Sequence, residues 1–270
     1  MKEHLLEEAR VIFATSNVNI TVEGHEYLGG FVGSTDRQME YARKKVDNWV
    51  NLVRLLADIA TTELQAAYAA FIAGFCGRLN YFIRTTPNLS TILHELDQVI
   101  TNELIPAITD GSVVSSEKRV LLSLPVKLGG LGIPIFAECC KTEYQNSLLV
   151  CSQQVAAIVT QNSADNTQLP REGNYRGRIV RGKGEMQKAK LEQLRAHMSK
   201  EQVRANDIAQ MKGSSSWLTA LPIKKEGYVL SKRQFFDALA LRYRWRMKRP
   251  PSNCACGKQF TVDHAISCLK

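Results

Sequence analysis

The last part of the chain brings together residue types that bind metals. Between positions 254 and 268 the sequence CACGKQFTVDHAISC reads C-x-C-x7-H-x3-C, which supplies three thiols and one imidazole. Three thiolates and a histidine form a donor set that tetrahedral structural zinc prefers, and four protein ligands leave no open position for a catalytic water. We therefore predict a structural zinc ion that supplies folding energy to a segment too short to bury a core. The predicted ligands are Cys254, Cys256, His264 and Cys268.

The C-x-C spacing is the weakest feature of this zinc prediction. Structural zinc elements usually separate the first two cysteines by about two to four residues. A sharp turn at Gly257 is needed to bring both thiols to one ion. The alternative is a set of free thiols on a frayed chain end.

Positive charge is concentrated in the same third of the chain. Residues 171–270 hold 22 Lys and Arg against 8 Asp and Glu, a net +14, whereas residues 1–170 hold 13 against 18, a net −5. A basic block attracts polyanions, and the release of counterions favours nucleic acid as the partner. RNA or DNA is the predicted partner; an anionic membrane ranks second, and a merely solvated basic surface is the alternative.

The basic block contains a stretch in which cations alternate with aromatic and apolar residues, RYRWRMKR at 242–249. Its Arg and Lys side chains are predicted to neutralise phosphates. Tyr243 is expected to pack inward, whereas Trp245 either stacks on an unpaired base or packs inward. The predicted nucleic-acid-binding residues are Arg176, Arg178, Arg181, Lys183, Arg242, Arg244, Trp245, Arg246, Lys248 and Arg249.

Catalytic motifs are missing from the sequence. It has no G-x-x-x-x-G-K-[ST] loop, no G-x-S-x-G elbow, no H-E-x-x-H and no adjacent pair of aspartates. We predict no catalytic residue. No run of eighteen apolar residues occurs and the first ten residues are charged, so we expect an intracellular protein of the nucleus or cytoplasm without membrane association.

The hydrophobic periodicity predicts a mainly α fold: a helical bundle, a small N-terminal β-hairpin, and a C-terminal basic helix followed by the zinc-binding element. The hairpin is predicted from 19–23 and 27–32, joined by Gly24 and His25, and capping boxes are predicted at Thr35 with Gln38, Thr62 with Gln65 and Ser231 with Gln234. Predicted helices begin at Thr35, Thr62 and Ser90, span 116–124, 137–161 and 185–211, and run from Ser231 through 249. The sequence predicts four consecutive segments. They are the hairpin segment (1–34), the helical bundle (35–161), a basic linker with a charged helix (162–216), and the basic helix with the zinc-binding element (217–270).

Four stretches in a shared order resemble the part of retrotransposon reverse transcriptases, of the non-LTR-like kind, that follows the catalytic palm. They are ITVEGHEYLGGFVG (20–33), QAAYAAFIAGFCGRLNYFIRTTPN (65–88), LPVKLGGLGIP (124–134), and WLTALPIKKEGYVLSKRQFFDALALRYRW (217–245) with the cysteine cluster behind it.

This resemblance implies a role for each segment. The hairpin, with Tyr27, Leu28, Gly29 and Gly30, would correspond to the primer grip, and 35 to about 160 to the helical thumb. The last segment would be a zinc-binding end that contacts nucleic acid. The family's fingers and palm, with the Y-x-D-D aspartates, would lie before residue 1, so we expect no Mg²⁺ site and no polymerisation by this chain alone. We therefore expect a fragment or relic that binds template–primer or target; a host-adopted protein-interaction module with a structural zinc, and part of a longer RNA-directed DNA polymerase, are the alternatives.

Overall fold

The computed structural model describes residues 2–18, 20–109, 111, 114–161, 173–245, 247 and 250–268, and within them the chain is mainly helical, as predicted. A two-stranded antiparallel hairpin near the N-terminus accompanies the helices. In chain order the elements are α1 (Lys2–Ile12), β1 (Gly24–Tyr27), β2 (Gly30–Gly33), α2 (Thr35–Ala60), α3 (Leu64–Ala69), a π-helical turn (Ala70–Phe75), α4 (Cys76–Thr85), α5 (Ser90–Val99), a second π-helical turn (Ile100–Leu104), α6 (Ile105–Ile108), α7 (Ser116–Ser123), a 3-10 turn (Val126–Leu128), α8 (Phe136–Thr160), α9 (Gly173–Arg195), α10 (Lys200–Gln210), α11 (Ser216–Thr219), a 3-10 turn (Lys224–Glu226), α12 (Lys232–Tyr243) and α13 (Val262–Ser267). None of the described helices is both long enough and apolar enough to cross a bilayer.

Two compact units share these elements. The first contains residues 1–52, 76–98 and 136–176, and the second contains 53–75, 99–135 and 177–270. Both units take segments from distant parts of the sequence, whereas the sequence predicts four consecutive segments. The predicted segment boundaries stay a prediction.

The apolar faces predicted from the 3.6-residue period are largely buried. Val46, Phe82 and Leu93 are at most 2% exposed in the first unit, and Phe71 and Phe235 are fully buried in the second. The prediction fails for the C-terminal half of α8, where four expected core residues are 44–69% exposed because nothing among the described residues covers them. These are Leu148, Leu149, Val155 and Ile158.

The turn of the hairpin lies four residues later than predicted, and both strands begin later as well. The turn is formed by Leu28 and Gly29, not by Gly24 and His25, because both turn residues adopt positive φ (49° and 78°), as a two-residue hairpin turn requires. Gly24 instead pairs with Gly33. A Cβ added at Gly24 would lie 2.5 Å from the carbonyl oxygen of Val32.

Helix starts show which capping predictions hold. Ser231 accepts from the backbone of Gln234, whose side chain accepts from the backbone N–H of Ser231, so this capping box is confirmed. The box predicted at Thr62 is wrong, because the side chain of Gln65 bonds instead to the backbone of Tyr228 and Leu230. The box predicted at Thr35 is also wrong: Thr35 is already helical.

Two predicted helices are shorter than the sequence suggests. The predicted helix 185–211 is divided between α9 and α10, since Ser199 forms a new capping box with Gln202. Helix α12 ends at Tyr243, because Arg244 turns into the left-handed region (φ 55°), six residues before the predicted end of the helix at 249.

A glycine-rich loop between α7 and α8 is held in the second unit by the buried Arg119. Its guanidinium donates to the carbonyl oxygens of Ile133 and Pro134 at 2.8 and 2.7 Å. On the same loop Gly129 has φ 89°, and an added Cβ would lie 2.0 Å from Nδ2 of Asn206. Asn206 on α10 donates to the carbonyl oxygen of Leu128, which fixes α10 against the loop.

Candidate metal centre and basic surface

The four predicted metal ligands come together in space. One donor atom from each of Cys254, Cys256, His264 and Cys268 lies within 4.8 Å of the others. The Sγ of Cys256 is 3.0 Å from Nε2 of His264. All four residues are half-buried, and this group can hold a metal ion.

A tight turn brings Cys254 and Cys256 to the same side of the chain. The N–H of Gly257 donates to the carbonyl oxygen of Cys254, and the N–H of Cys254 donates to that of Lys258, both at 2.8 Å. Gly257 has φ 84°, and an isolated bridge pairs Asn253 with Gln259 around the turn. The sharp turn expected at Gly257 is therefore present, and it explains how a C-x-C spacing delivers two thiols to one side.

A short helix positions the histidine and the last cysteine. Helix α13 begins after Thr261, whose hydroxyl accepts from the backbone N–H of His264 at 3.0 Å. The helix presents His264, and Cys268 follows its last residue. Val262 on the same helix lines a cavity with Trp217 and Leu241, so the segment adjoins α12 within the second unit.

The surroundings of Cys254 favour its thiolate form. The backbone N–H of Cys256 is the main cause of a lowered pKa at Cys254, since a hydrogen bond to sulfur stabilises the negative form. A metal ligand must be a thiolate, so this local field suits the donor set.

Buried cysteines outside the cluster have the opposite character. Burial raises the pKa of Cys76 and of Cys139 to about 12, which keeps both as neutral thiols. Cys76 and Cys140 are buried, Cys139 is half-buried and Cys151 is exposed. No further group of metal-binding side chains occurs among the described residues.

The predicted basic residues divide into two places. Arg176, Arg178, Arg181 and Lys183 lie on α9, where the first three are exposed and Lys183 is half-buried. Helical spacing puts Arg178 and Arg181 on one face. Arg246, Lys248 and Arg249 lie outside the described residues.

Arg242 has an internal role at the end of α12. Its NH1 donates to the hydroxyl of Ser215, and its NH2 donates to the carbonyl oxygen of Val126 at 3.0 Å. Arg244 is exposed. The Trp245 ring stacks on the ring of Tyr243 with centroids 4.6 Å apart, so Trp245 packs against the protein. Tyr243 is buried, as expected.

The hairpin residues implied by the resemblance are anchored through their backbone. The Tyr81 hydroxyl donates to the carbonyl oxygen of Leu28 at 2.7 Å, and the Tyr41 hydroxyl lies 3.1 Å from that of Gly29. Gly30 is buried, whereas the side chains of Tyr27 and Leu28 are 66% and 73% exposed. The hairpin thus presents apolar side chains on its outer surface.

Sequence reasoning missed a cleft in the second unit. It is lined by residues from α7, α10 and the end of α12, among them Lys118, Asn206 and Trp245, and by His197 from the connection between α9 and α10. Trp245 belongs to the basic stretch at 242–249, but the other three stand in no recognisable motif, and only the spatial grouping marks the site. Comparison of the chain with protein-family models, curated proteins and solved structures found no match.

Proposed function

We propose that this chain is a non-catalytic, nucleic-acid-binding part of a mobile-element reverse transcriptase, with a structural zinc ion in its last segment. The observation that carries the proposal is the four-residue Cys/His cluster within the most basic part of the sequence, which has a net charge of +14 over residues 171–270. The resemblance in the order of the sequence stretches supports the link to reverse transcriptases.

Zinc is the metal that the donor set favours. Soft thiolates select zinc over magnesium or calcium, which prefer oxygen ligands. Four protein donors fill a tetrahedral site, so the metal would hold the fold and would not activate water. The thiolates would bind the ion and the imidazole would complete the site.

Phosphate binding is supported by the exposed cations of α9. Arg178 and Arg181 lie on one face of a helix whose sequence GNYRGRIVRGKGEMQKAK contains few acidic residues. Such a face can follow a phosphate backbone without reading the base sequence. Each phosphate neutralised releases counterions, which makes the affinity dependent on salt.

The test is a salt titration of binding by the full, zinc-loaded chain. We would measure anisotropy with labelled single-stranded RNA, the same sequence as single-stranded DNA, and duplex DNA. We expect log K to fall linearly with log salt concentration. The double variant Arg178→Glu/Arg181→Glu should lower the slope by about 0.7 for each lost contact to a single strand.

The matched control makes the same charge change in residues 1–170, the part of the chain with a net negative charge. Arg43 and Arg78 are exposed residues on α2 and α4, and Arg43→Glu/Arg78→Glu should leave affinity and slope nearly unchanged. Affinity that is absent for every nucleic acid, or that is equally reduced by both double variants, would contradict the proposal.

A protein-interaction module is the second candidate, and exposed apolar side chains favour it. Tyr27, Leu28 and Val32 on the hairpin are 66–73% exposed, and Val159 on α8 is 75% exposed. Exposed apolar patches commonly mark protein interfaces. Binding to a protein partner that survives Arg178→Glu/Arg181→Glu and is lost in Leu28→Asp would support this candidate.

A further inference from the structure

The C-terminal half of α8 carries an apolar stripe that the described part of the first unit leaves uncovered. Leu148, Val155 and Ile158 are 53%, 54% and 69% exposed, and Cys151 between them is also exposed. The half-buried Tyr144 precedes them on the helix. These five residues follow one another at alternating steps of four and three, so they lie along one line of the helix surface. We call this line the seam, because a second helix packs against residues spaced in this way.

The opposite face of α8 attaches the helix to its own unit. Val150, Gln153 and Ala157 are half-buried there. On the same face Glu143 pairs with Arg84 of α4 at 3.0 Å. A helix on the surface of a protein needs only one apolar face to pack on its core. The seam is a second apolar face, and exposed apolar surface of this kind marks an interaction site.

The absence of charge favours a second copy of the chain as the partner. From 144 to 160 the sequence of α8 contains no Lys, Arg, Asp or Glu, although residues 1–170 as a whole have a net charge of −5. The positions beside the seam, such as Ser152 and Gln154, are therefore neutral, and two identical helices can approach without repulsion between like charges. A charged partner surface would lose hydration here and gain no ion pair in return.

The exposed area of the seam fits a weak dimer. Burial of the seam and of the adjacent Val159, which is 75% exposed, would remove roughly 1,000 Å² from water over two copies. This area is at the lower end for specific protein interfaces and is typical of transient association. The chain should therefore be monomeric when dilute and dimeric when concentrated.

We propose that two copies of this chain pair through α8, with the seam of one helix against the seam of the other. Cys151 is the middle residue of the seam, with two seam residues before it and two after it. In a pair related by a two-fold axis, the middle residue faces its own copy whether the helices run parallel and in register or antiparallel. Cys151 of one copy thus lies next to Cys151 of the other in both arrangements. This pairing does not depend on the proposed nucleic-acid binding.

Sedimentation equilibrium of the full zinc-loaded chain tests the pairing without nucleic acid. We expect the average mass to rise from one chain towards two between about 10 µM and about 1 mM. Val155→Glu places a charge from each copy in the seam and should weaken dimerisation at least about ten-fold. Since Glu forms helices better than Val, this variant keeps α8.

The matched control adds the same charge beside the seam. Ala156→Glu changes the next exposed position, about 100° further around the helix, and should dimerise like the unmodified chain. Association that both glutamate variants weaken equally, or that neither changes, would place the contact on another surface and overturn the proposal.

Oxidation of Cys151 gives a second readout. Diamide takes two electrons and two protons from two facing thiols, so that one S–S bond forms and the diazene is reduced to a hydrazine. A disulfide requires Cβ atoms about 4 Å apart, so cross-linking reports direct contact. We expect cross-linked dimer from the unmodified chain, little from Val155→Glu, and none from Cys151→Ser, which should still dimerise in sedimentation. An equal yield from Cys151→Ser would place another cysteine at the contact and overturn the proposal.

The outcomes separate this dimer from the proposed function. Dimerisation through the seam without affinity for any nucleic acid would support the dimer and contradict the proposed function. A chain that binds RNA in a salt-dependent way but stays monomeric up to about 1 mM would do the reverse, and would leave the seam to a partner of different sequence. Arg178→Glu/Arg181→Glu should dimerise like the unmodified chain, because both residues lie on α9 and outside the seam.

Discussion

The N-terminal hairpin and the C-terminal Cys/His segment are both too short to fold alone, but different interactions hold them. The hairpin, residues 24–33, is fastened to helices of the first unit by the hydroxyls of Tyr41 and Tyr81 and by the side chain of Gln38, which donates to the carbonyl oxygen of Phe31. The Cys/His segment, residues 252–268, has four metal donors at its centre.

The difference shows two sources of order for small elements. A two-stranded hairpin is marginal in water unless it packs on other structure. A short segment with little apolar area gains its free energy of folding from metal coordination. The hairpin should therefore respond to changes in the helices that hold it, and the Cys/His segment should respond to metal.

The largest effect is expected from removal of one metal ligand. Cys256→Ser should abolish binding of the ion and unfold residues 252–268, because a hydroxyl is a poor zinc ligand. Native mass spectrometry gives the number of bound ions per chain. Cys151→Ser, at the exposed cysteine of α8, is the control and should bind the ion like the unmodified chain. Full metal occupancy in Cys256→Ser would contradict the ligand assignment.

A matched pair of glycines tests backbone conformation in both regions. Gly29 and Gly257 have φ of 78° and 84°, and an added Cβ meets nothing closer than 3.7 Å at Gly29 and nothing within 4 Å at Gly257. Alanine should cost about 1 kcal/mol at each position through left-handed strain alone. Gly257→Ala should then weaken zinc binding by about five-fold, and Gly29→Ala should lower protection of the hairpin amides only. An effect of Gly29→Ala on zinc affinity would contradict the claim that the two regions are stabilised by different interactions.

A smaller effect is expected at the anchor of the hairpin turn. Tyr81→Phe removes the hydrogen bond to the carbonyl oxygen of Leu28, worth about 0.5–1 kcal/mol at this partly exposed position. Hydrogen exchange should show faster opening of residues 24–33, with metal content unchanged. Tyr144→Phe on α8 is the control. Unchanged exchange in Tyr81→Phe would mean that this anchor does not hold the hairpin.

Acid should affect the two regions at different pH, with the smallest effect at the hairpin. The hydroxyl of Tyr41 is the main cause of a lowered pKa at Glu26. A lowered pKa in the folded state stabilises the fold above the unfolded value of about 4.3 and loses this contribution as pH falls through the folded value. Imidazole and thiolate ligands must be deprotonated to bind a metal, so the affinity for an ion at the Cys/His cluster falls on acidification. NMR spectra recorded during acidification should show metal release before any change at Glu26; the reverse order would be inconsistent with this account.

Local sequence patterns predict much of this fold. The 3.6-residue period identifies the buried faces of α2, α4, α5 and α12, and the capping box at Ser231 marks the start of α12 correctly. The metal ligands follow from their types and spacing. These features depend on residues close together in sequence, so the sequence alone reveals them.

Other features depend on contacts between distant residues, and the sequence does not reveal them. Gln65 matches a capping box, but its amide bonds to a backbone 163 and 165 residues away. Asp97 reads as an isolated carboxylate, yet it is buried and accepts the N–H groups of Phe136 and Ala137 at the start of α8. The cleft beside Tyr243 likewise depends on three helices meeting. No local pattern contains these partners.

The most direct test of the comparison is amide hydrogen exchange of the full chain with zinc and after chelation. We predict that chelation removes protection from residues 252–268 and leaves residues 24–33 unchanged. Equal protection of residues 252–268 in both conditions would show that metal does not order this segment, and would contradict the central claim.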